Sequence, residues 1–344
     1  MRLRLRRMMD PTVPSDPLPL VLFYTSFFGR MPPAASAPSP PVCRTTCDRA
    51  QIGEADIVLF HLPDAWEMGD AVRQPGQIWV AYMMESPAHY PLWRDPDFMN
   101  RFDLVMSHER SADIWTPYLH SADAWREAMA KPVPAKTELA PVVLFQSANV
   151  DRNGRNDFAF DLMKAIRVDS YGKLFHNRDL GGPDLGRATK LDTIGRYHFC
   201  CAFENATTPD YVTEKVFDAL LAGTVPIYRG TRDISAFVPP GSYIDAADFP
   251  SAGALADHLR RVRGDPAAYA RYFAWRDQPL PDSILSWIRD LERPVLARVL
   301  EAAAARFPAG GPRDRPRLPF GVRAYLRTKL RRFRRARLSG GRRG

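Results

Sequence analysis

Cysteine is scarce in this chain. Its 344 residues include four, Cys43, Cys47, Cys200 and Cys201. Cys200 and Cys201 are adjacent, so on a strand they point to opposite faces and do not converge on one metal ion. Cys43-x-x-x-Cys47 has no second ligand pair downstream. A disulfide framework and a zinc site are therefore not expected, and reduced, structural thiols of a cytosolic protein are. Long apolar runs are missing too. No stretch of about 18 apolar residues occurs, which argues against a transmembrane helix. Pro19 to Phe28 is apolar but short and lacks a small-residue cleavage site, so it reads as a first strand and not as a signal peptide. There is no internal repeat and no heptad array. His176 and His198 lack ligand-like spacing and read as structural.

What is present is an ordinary globular composition, 45% apolar and 25% charged, which excludes a disordered chain. The length suits two domains with substantial cores. Abundant Ala, Arg and Pro suggest a GC-rich bacterial gene. The net charge of +9 is concentrated at one end: residues 311–344 hold 13 Lys and Arg against one acid, Asp314. That stretch carries +12 and leaves the rest of the chain at −3, so the basic balance describes a tail and not the globular body.

Continuous apolar runs at Leu18–Phe28, Ile57–Phe60, Ile78–Met84 and Phe102–Ser107 read as parallel strands covered on both faces. Ala122 to Glu138 is polar, contains proline and reads as an interdomain linker. The pattern then restarts: a strand at Val142–Gln146, a helix at Arg155–Ile166, a strand at Val168–Tyr171, and helices at Ala254–Val262 and within Ser283–Phe307. The centre of this half is Phe199 to Gly230, which reads as strand, loop, helix, strand. Thr213 is a candidate helix cap, Val216, Phe217, Leu220 and Leu221 share one face, and Gly223 is a left-handed terminator. The loop lies at the carboxyl edge of a parallel sheet, where α/β proteins bind ligands. Lys215 in the first helical turn opposes the helix dipole. Two readings stand: the side chain extends into solvent, or an anion bound at the free N–H groups offsets it.

The wording FENATTPDYVTEKVFDALLAGTVPIYRG resembles the donor-binding signature of the α-1,3-fucosyltransferases, glycosyltransferase family 10. Weaker segments occur in that family's order: Cys43-Arg-Thr-Thr-Cys-Asp-Arg49, Pro75 to Pro87 with Glu-Ser-Pro, Arg155-Asn-Asp-Phe158 and Val168-Asp-Ser-Tyr-Gly172. Met106 to Pro117 matches poorly, and only Asp113 agrees with the family's motif there. The resemblance spans roughly residues 18–277. It implies an α/β chain of GT-B architecture, two Rossmann-like domains facing a cleft, with a basic helical tail. The expected boundaries are a loose basic N-terminus at 1–16, an acceptor-side domain at 17–138, a donor domain with closing helices at 139–310, and the tail at 311–344.

The resemblance also implies the chemistry. The donor is GDP-fucose and the acceptor a hydroxyl, O3 of N-acetylglucosamine or glucose, in an oligosaccharide or lipopolysaccharide. Glu85 matches Glu-Ser-Pro and is the expected general base; a solvated carboxylate before a turn is the alternative. Arg155 and Lys215 match positions that contact the pyrophosphate, and Tyr211 resembles a phosphate hydrogen-bond donor. Asn205 and Glu214 resemble residues that hold sugar hydroxyls, and Glu214 also favours an oxocarbenium-like sugar. Val168 and Tyr171 line the guanine pocket or pack the core. No metal or other cofactor is required, since no Asp-x-Asp pair stands in either nucleotide loop, although a divalent cation is allowed as a stimulant. Alternatives are a GT-B transferase for another nucleotide sugar, or a non-catalytic, membrane-attached nucleotide-sugar-binding protein.

In the tail, residues 319–338 space Phe320, Tyr325, Leu326, Leu330 and Phe333 so that a helix gathers much of the apolar set on one side. This suits an anionic membrane surface and a peripheral, cytoplasmic location on the inner face of a bacterial membrane. A nucleic-acid-binding arm and a solvated tail are the competing readings. The slightly acidic body offers nothing for nucleic acid, and none is expected as a partner.

Overall fold

The computed structural model describes residues 17–30, 41–69 and 71–308. The basic stretch 319–338 lies outside them. Two compact units are present, one from residues up to Thr116 together with those from Arg293, the other Pro117–Glu292.

The first unit is a six-stranded sheet ordered β2-β1-β3-β4-β5-β6. Its strands are β1 (Leu20–Phe23), β2 (Arg44–Thr46), β3 (Ile57–His61), β4 (Ile78–Met83), β5 (Leu104–Ser107) and β6 (Ile114–Trp115). All neighbours run parallel, with Val21 opposite Ile57 and Ile57 opposite Ile78. Alternate residues enter different cores, as a period of two requires. Leu20, Leu22, Val58, Phe60 and Trp79 pack on one side with Trp93, Phe98 and Phe102. Val21, Ile57, Leu59, Ile78 and Val80 pack on the other against Leu296, Val299, Leu300 and Ala303.

That second contact corrects the expected boundary. The helix Val295–Arg306 falls within the stretch expected for the donor domain, but its apolar stripe closes the first sheet. The division also falls after Thr116, not after Glu138. Residues Ala122–Ala130 are not a linker. They form a helix whose cap Ser121 Oγ accepts the Ala124 N–H, and Trp125 on it is buried against Phe217 and Trp275. The polar residues that suggested a linker form that helix's exposed side. The first strand is also shorter than its apolar run: beyond Tyr24 the chain leaves the sheet and turns back through a bridge between Phe27 and Arg30.

The second unit is a five-stranded parallel sheet ordered β11-β10-β9-β7-β8. Its strands are β7 (Val142–Leu144), β8 (Val168–Ser170), β9 (Phe199–Phe203), β10 (Val225–Arg229) and β11 (Ile244–Asp245). Cys201 packs on one face with Phe199, Leu162 and Leu259, and Cys200 on the other with Val143, Tyr197 and Ala219. The adjacent cysteines thus face apart, and all four are free thiols.

The central unit of the signature forms as its pattern predicts. The helix Glu214–Leu221 follows β9, and Gly223 ends it at φ +69°. Its N–H bonds to the Leu220 carbonyl. A Cβ there would lie 2.7 Å from Pro134 Cδ, so both backbone and packing demand glycine.

Candidate active site

The second unit gathers most of the expected site at the carboxyl end of β9. The strand ends at Phe203, and the next residue, Glu204, is fully buried. Its Oε1 accepts the Thr213 backbone N–H at 2.7 Å and the Thr213 hydroxyl at 3.0 Å. Its Oε2 accepts the Lys215 ammonium at 3.1 Å, and Lys215 also donates to Thr213 Oγ1 at 2.6 Å. Thr213 is therefore not a side-chain cap of the helix, as its type suggested. Its hydroxyl is held by Glu204, and the helix starts without a side-chain cap bond. This leaves the first N–H groups of Glu214–Leu221 without that partner, at the positive end of the dipole.

Lys215 is the charge beside them. Burial draws its ammonium down, but Glu204 and Glu214 outweigh that and hold it above the ordinary lysine range. Glu214 is half-exposed, with Oε1 3.5 Å from Lys215 Nζ. Burial pushes the Glu214 carboxyl up, yet Lys215 and Lys190 overcome this and keep it below the usual carboxylate range. It is ionised at neutral pH. Asn205 Oδ1 is buried with no hydrogen-bond partner. Tyr211 is buried, with its ring edge-on to Tyr118 at 6.5 Å. It follows Asp210, whose backbone is left-handed at φ 59°, a conformation that costs about 1 kcal/mol or more for a non-glycine residue.

Arg155 joins this group through a different geometry from the one its type suggests. It opens the helix Arg155–Ala165, where Asp151 accepts the N–H groups of residues 153 to 156. Its guanidinium is buried and donates to the carbonyls of Phe203, Ala148 and Val150, each at 3.0 Å. Only Nε lacks a partner. Arg155 thus ties its own loop to the end of β9 and brings positive charge within range of Tyr211 and Glu214. It does not present a free fork. Tyr171 follows β8 with its ring stacked on Phe145 at 5.1 Å, and its hydroxyl pairs with that of Tyr197. Val168 starts β8, at the opposite end of the strand from Tyr171, and lies in the apolar core. Packing is the role its position shows.

Glu85 belongs to the first unit. It follows β4 at the carboxyl edge and is partly buried. Near it is a pair that sequence reasoning missed. His61, the last residue of β3, bonds through Nδ1 to Asp64 Oδ2 at 2.7 Å, and Glu85 acts on it electrostatically. Glu204 was also missed as a site residue, although an acid ending a buried strand beside Asn205 was a readable signal.

One further cluster steadies the signature helix. Asp218, buried in its middle, takes Arg187 at 2.9 Å and Lys190 at 2.8 Å, with His120 at 3.6 Å. Burial raises its carboxyl, but His120, Lys190 and Arg187 prevail and hold it far below the ordinary range. Arg187 and Lys190 lie three residues apart on the helix Arg187–Gly195, which is how two cations reach one carboxylate.

Two parallel α/β sheets, each with polar groups at its carboxyl edge, make up the GT-B fold. Among solved structures, an alpha1,3-fucosyltransferase matches with TM-score 0.56 at 16% identity, over 84% of this chain and 92% of that one. An alpha1,3-fucosyltransferase with GDP-fucose matches with TM-score 0.52 at 16% identity, over 83% and 92%. The family model "Glycosyltransferase family 10 (fucosyltransferase) C-term" matches residues 133–300, and "Fucosyltransferase, N-terminal" matches residues 16–119. The human 4-galactosyl-N-acetylglucosaminide 3-alpha-L-fucosyltransferase FUT6 is 33% identical over 298 residues, 82% of this chain and 79% of its own. The human 3-galactosyl-N-acetylglucosaminide 4-alpha-L-fucosyltransferase FUT3 is 33% identical over 296 residues, 81% and 78%. The chain belongs to glycosyltransferase family 10, the fucosyltransferases.

The Asp218 cluster makes a pH-dependent prediction. A carboxyl depressed in the fold contributes stability that is complete above its unfolded value, near 4, and is lost as pH falls below it. Asp218→Asn should cost about 1–3 kcal/mol at pH 7, because it removes the buried carboxylate that takes Lys190 and the half-exposed Arg187, whose solvent contact limits the loss. In urea unfolding, the gap between wild type and variant should narrow below pH ~4. A gap independent of pH would contradict the assignment.

Proposed function

We propose that this protein transfers L-fucose from GDP-fucose to a hydroxyl of an oligosaccharide or lipopolysaccharide acceptor, at O3 of N-acetylglucosamine or glucose, with inversion at the anomeric carbon. The observation that carries this reading is the Lys215 ammonium beside the uncapped start of the Glu214–Leu221 helix. Backbone N–H groups and a fixed cation together suit a departing diphosphate. The names of the human relatives and of the GDP-fucose complex supply the sugar and the nucleotide. The FUT3 name carries a 4-linkage, so the linkage is to be read from the product.

The acceptor oxygen attacks the anomeric carbon while the bond from that carbon to the β-phosphate oxygen breaks. GDP leaves with the bonding pair. The Glu85 carboxylate takes the acceptor's proton, since a sugar hydroxyl is a poor nucleophile unaided. Positive charge develops on the fucose ring, and the ionised Glu214 lowers its energy. Lys215 donates to the diphosphate, and Arg155 contributes charge through the end of β9. Tyr211 and Asn205 hydrogen-bond phosphate and sugar, and Tyr171 with Phe145 forms an aromatic wall for guanine. No metal is required as a clamp, because these cations take that role. The basic stretch 319–338 holds the enzyme on the inner face of a bacterial membrane, where a lipid-linked acceptor would be met.

Glu85→Gln should retain GDP-fucose binding and lose turnover by ~10²–10⁴. Wild-type rates in that variant would sink the role of base. A thermal-shift screen should show stabilisation by GDP-fucose above GDP-mannose and UDP-sugars, and the reverse order would point to another donor. Turnover should survive EDTA, with divalent ions stimulating at most. Complete loss that added metal restores would contradict the metal-free reading. Truncation after Arg313 should abolish co-sedimentation with anionic liposomes while leaving activity on soluble acceptors. Unchanged co-sedimentation would show that the tail is not the anchor.

A further inference from the structure

The first unit contains a backbone outlier that its packing does not explain. Beyond β1 the chain makes a tight turn from Phe27 to Arg30, closed by N–H to carbonyl bonds at 2.7 and 3.1 Å. Its central residues, Phe28 and Gly29, both have positive φ, 51° and 74°. These are the signs of a type I′ turn, whose first central position favours Asn, Asp or Gly. A bulky residue there is strained. Burial of the ring does not compensate, because Phe28 is 59% exposed.

The surroundings nevertheless hold it in place. The Phe28 N–H donates to Asp64 Oδ2 at 2.6 Å, the same oxygen that takes His61 Nδ1. The Ser26 hydroxyl and N–H both donate to Glu67, at 2.5 and 2.9 Å, and the Gly29 N–H donates to Ser26 Oγ at 3.1 Å. Phe27 stacks flat on the His61 ring at 4.6 Å, and Phe28 meets the same ring edge-on at 4.8 Å. Tyr82, next to Phe27 at 5.3 Å, lies within β4, three residues before Glu85. A strained, well-held aromatic at the carboxyl edge of a sheet is the kind of outlier from which function is argued.

We propose that Phe28, fixed by the Asp64–His61 pair, is a binding platform for the acceptor sugar, stacking on the apolar C–H face of the hexose whose hydroxyl Glu85 deprotonates. An aromatic face carries partial negative charge, and the axial C–H bonds of a pyranose present partial positive charge to it. The hydroxyls at the rim of the sugar stay free to react. This rests on the acceptor chemistry proposed above and adds the residue that selects for it.

The test uses the whole chain, GDP-fucose and N-acetyllactosamine as acceptor. Phe28→Asn suits a type I′ turn, so it should keep or raise Tm. It should also raise the KM for N-acetyllactosamine about tenfold and leave the KM for GDP-fucose unchanged. Phe28→Trp should keep the acceptor KM near wild type. A merely structural ring predicts the opposite, a lower Tm with both KM values moving, and that result overturns the proposal, as does an unchanged acceptor KM in Phe28→Asn. Saturation-transfer NMR of N-acetyllactosamine reads the platform without turnover. If the wild type binds the disaccharide but transfers no fucose, the proposed function fails while the platform stands. If wild type and Phe28→Asn bind it equally, or the wild type does not bind it, the platform fails.

Discussion

The second unit depends on one buried carboxylate. Glu204 has no exposure to water, and it takes the Thr213 N–H, the Thr213 hydroxyl and the Lys215 ammonium together. These bonds join the end of β9 to the start of the Glu214–Leu221 helix across an eight-residue loop, residues 205–212. The neighbouring strand adjusts to the same group. A Cβ at Gly230, just past β10, would lie 2.3 Å from the Tyr228 hydroxyl and 2.9 Å from Glu204 Cγ. An ion pair of this kind adds little net stability, since desolvation offsets most of the attraction, but removing one partner is costly. Its effect is positional: it fixes where a cation stands relative to the helix start.

The same economy appears in the other clusters. Asp151 takes four consecutive N–H groups and so orients the residue that opens the next helix, Arg155. Asp64 serves both His61 and the Phe28 turn with one oxygen. In each case a carboxylate satisfies backbone donors that a loop would otherwise leave unpaired. These bonds tie the described loops at the carboxyl edges of the sheets to the strands that carry them. Charged groups in them keep fixed separations, which a reaction that moves charge from sugar to diphosphate requires.

Much of this was legible from residue order. Continuous apolar runs marked parallel strands, because a sheet covered on both faces leaves no side for polar residues. The Phe199 to Gly230 stretch was readable as strand, loop, helix and strand, with the left-handed Gly223 at its end. Glu85, Asn205, Tyr211, Glu214 and Lys215 were singled out on residue type and resemblance. The misreadings have a common origin. Ala122–Ala130 looked like a linker because its polar side dominates the composition, while its buried stripe includes only Trp125 and Ala128. For Val168 the sequence left pocket and core both open, and its place at the start of β8 puts it in the core.

What the sequence determined by itself was local: strand period, helix face, the glycine terminator and the family wording around the donor loop. These depend on neighbours a few residues apart, so one dimension suffices. Only the tertiary structure decided that Val295–Arg306 closes the first sheet, that Arg155 is bound to three carbonyls, that Thr213 serves Glu204, and that His61, Asp64 and Phe28 meet. Each of these joins residues whose separation in the chain differs from the next: 3 for His61–Asp64, 48 for Arg155–Phe203, 183 for Arg298 of the closing helix and Trp115 of the first sheet. No periodicity encodes such pairs. Their partners are chosen by burial, which leaves a polar group one energetically acceptable neighbour and a positive φ one acceptable turn.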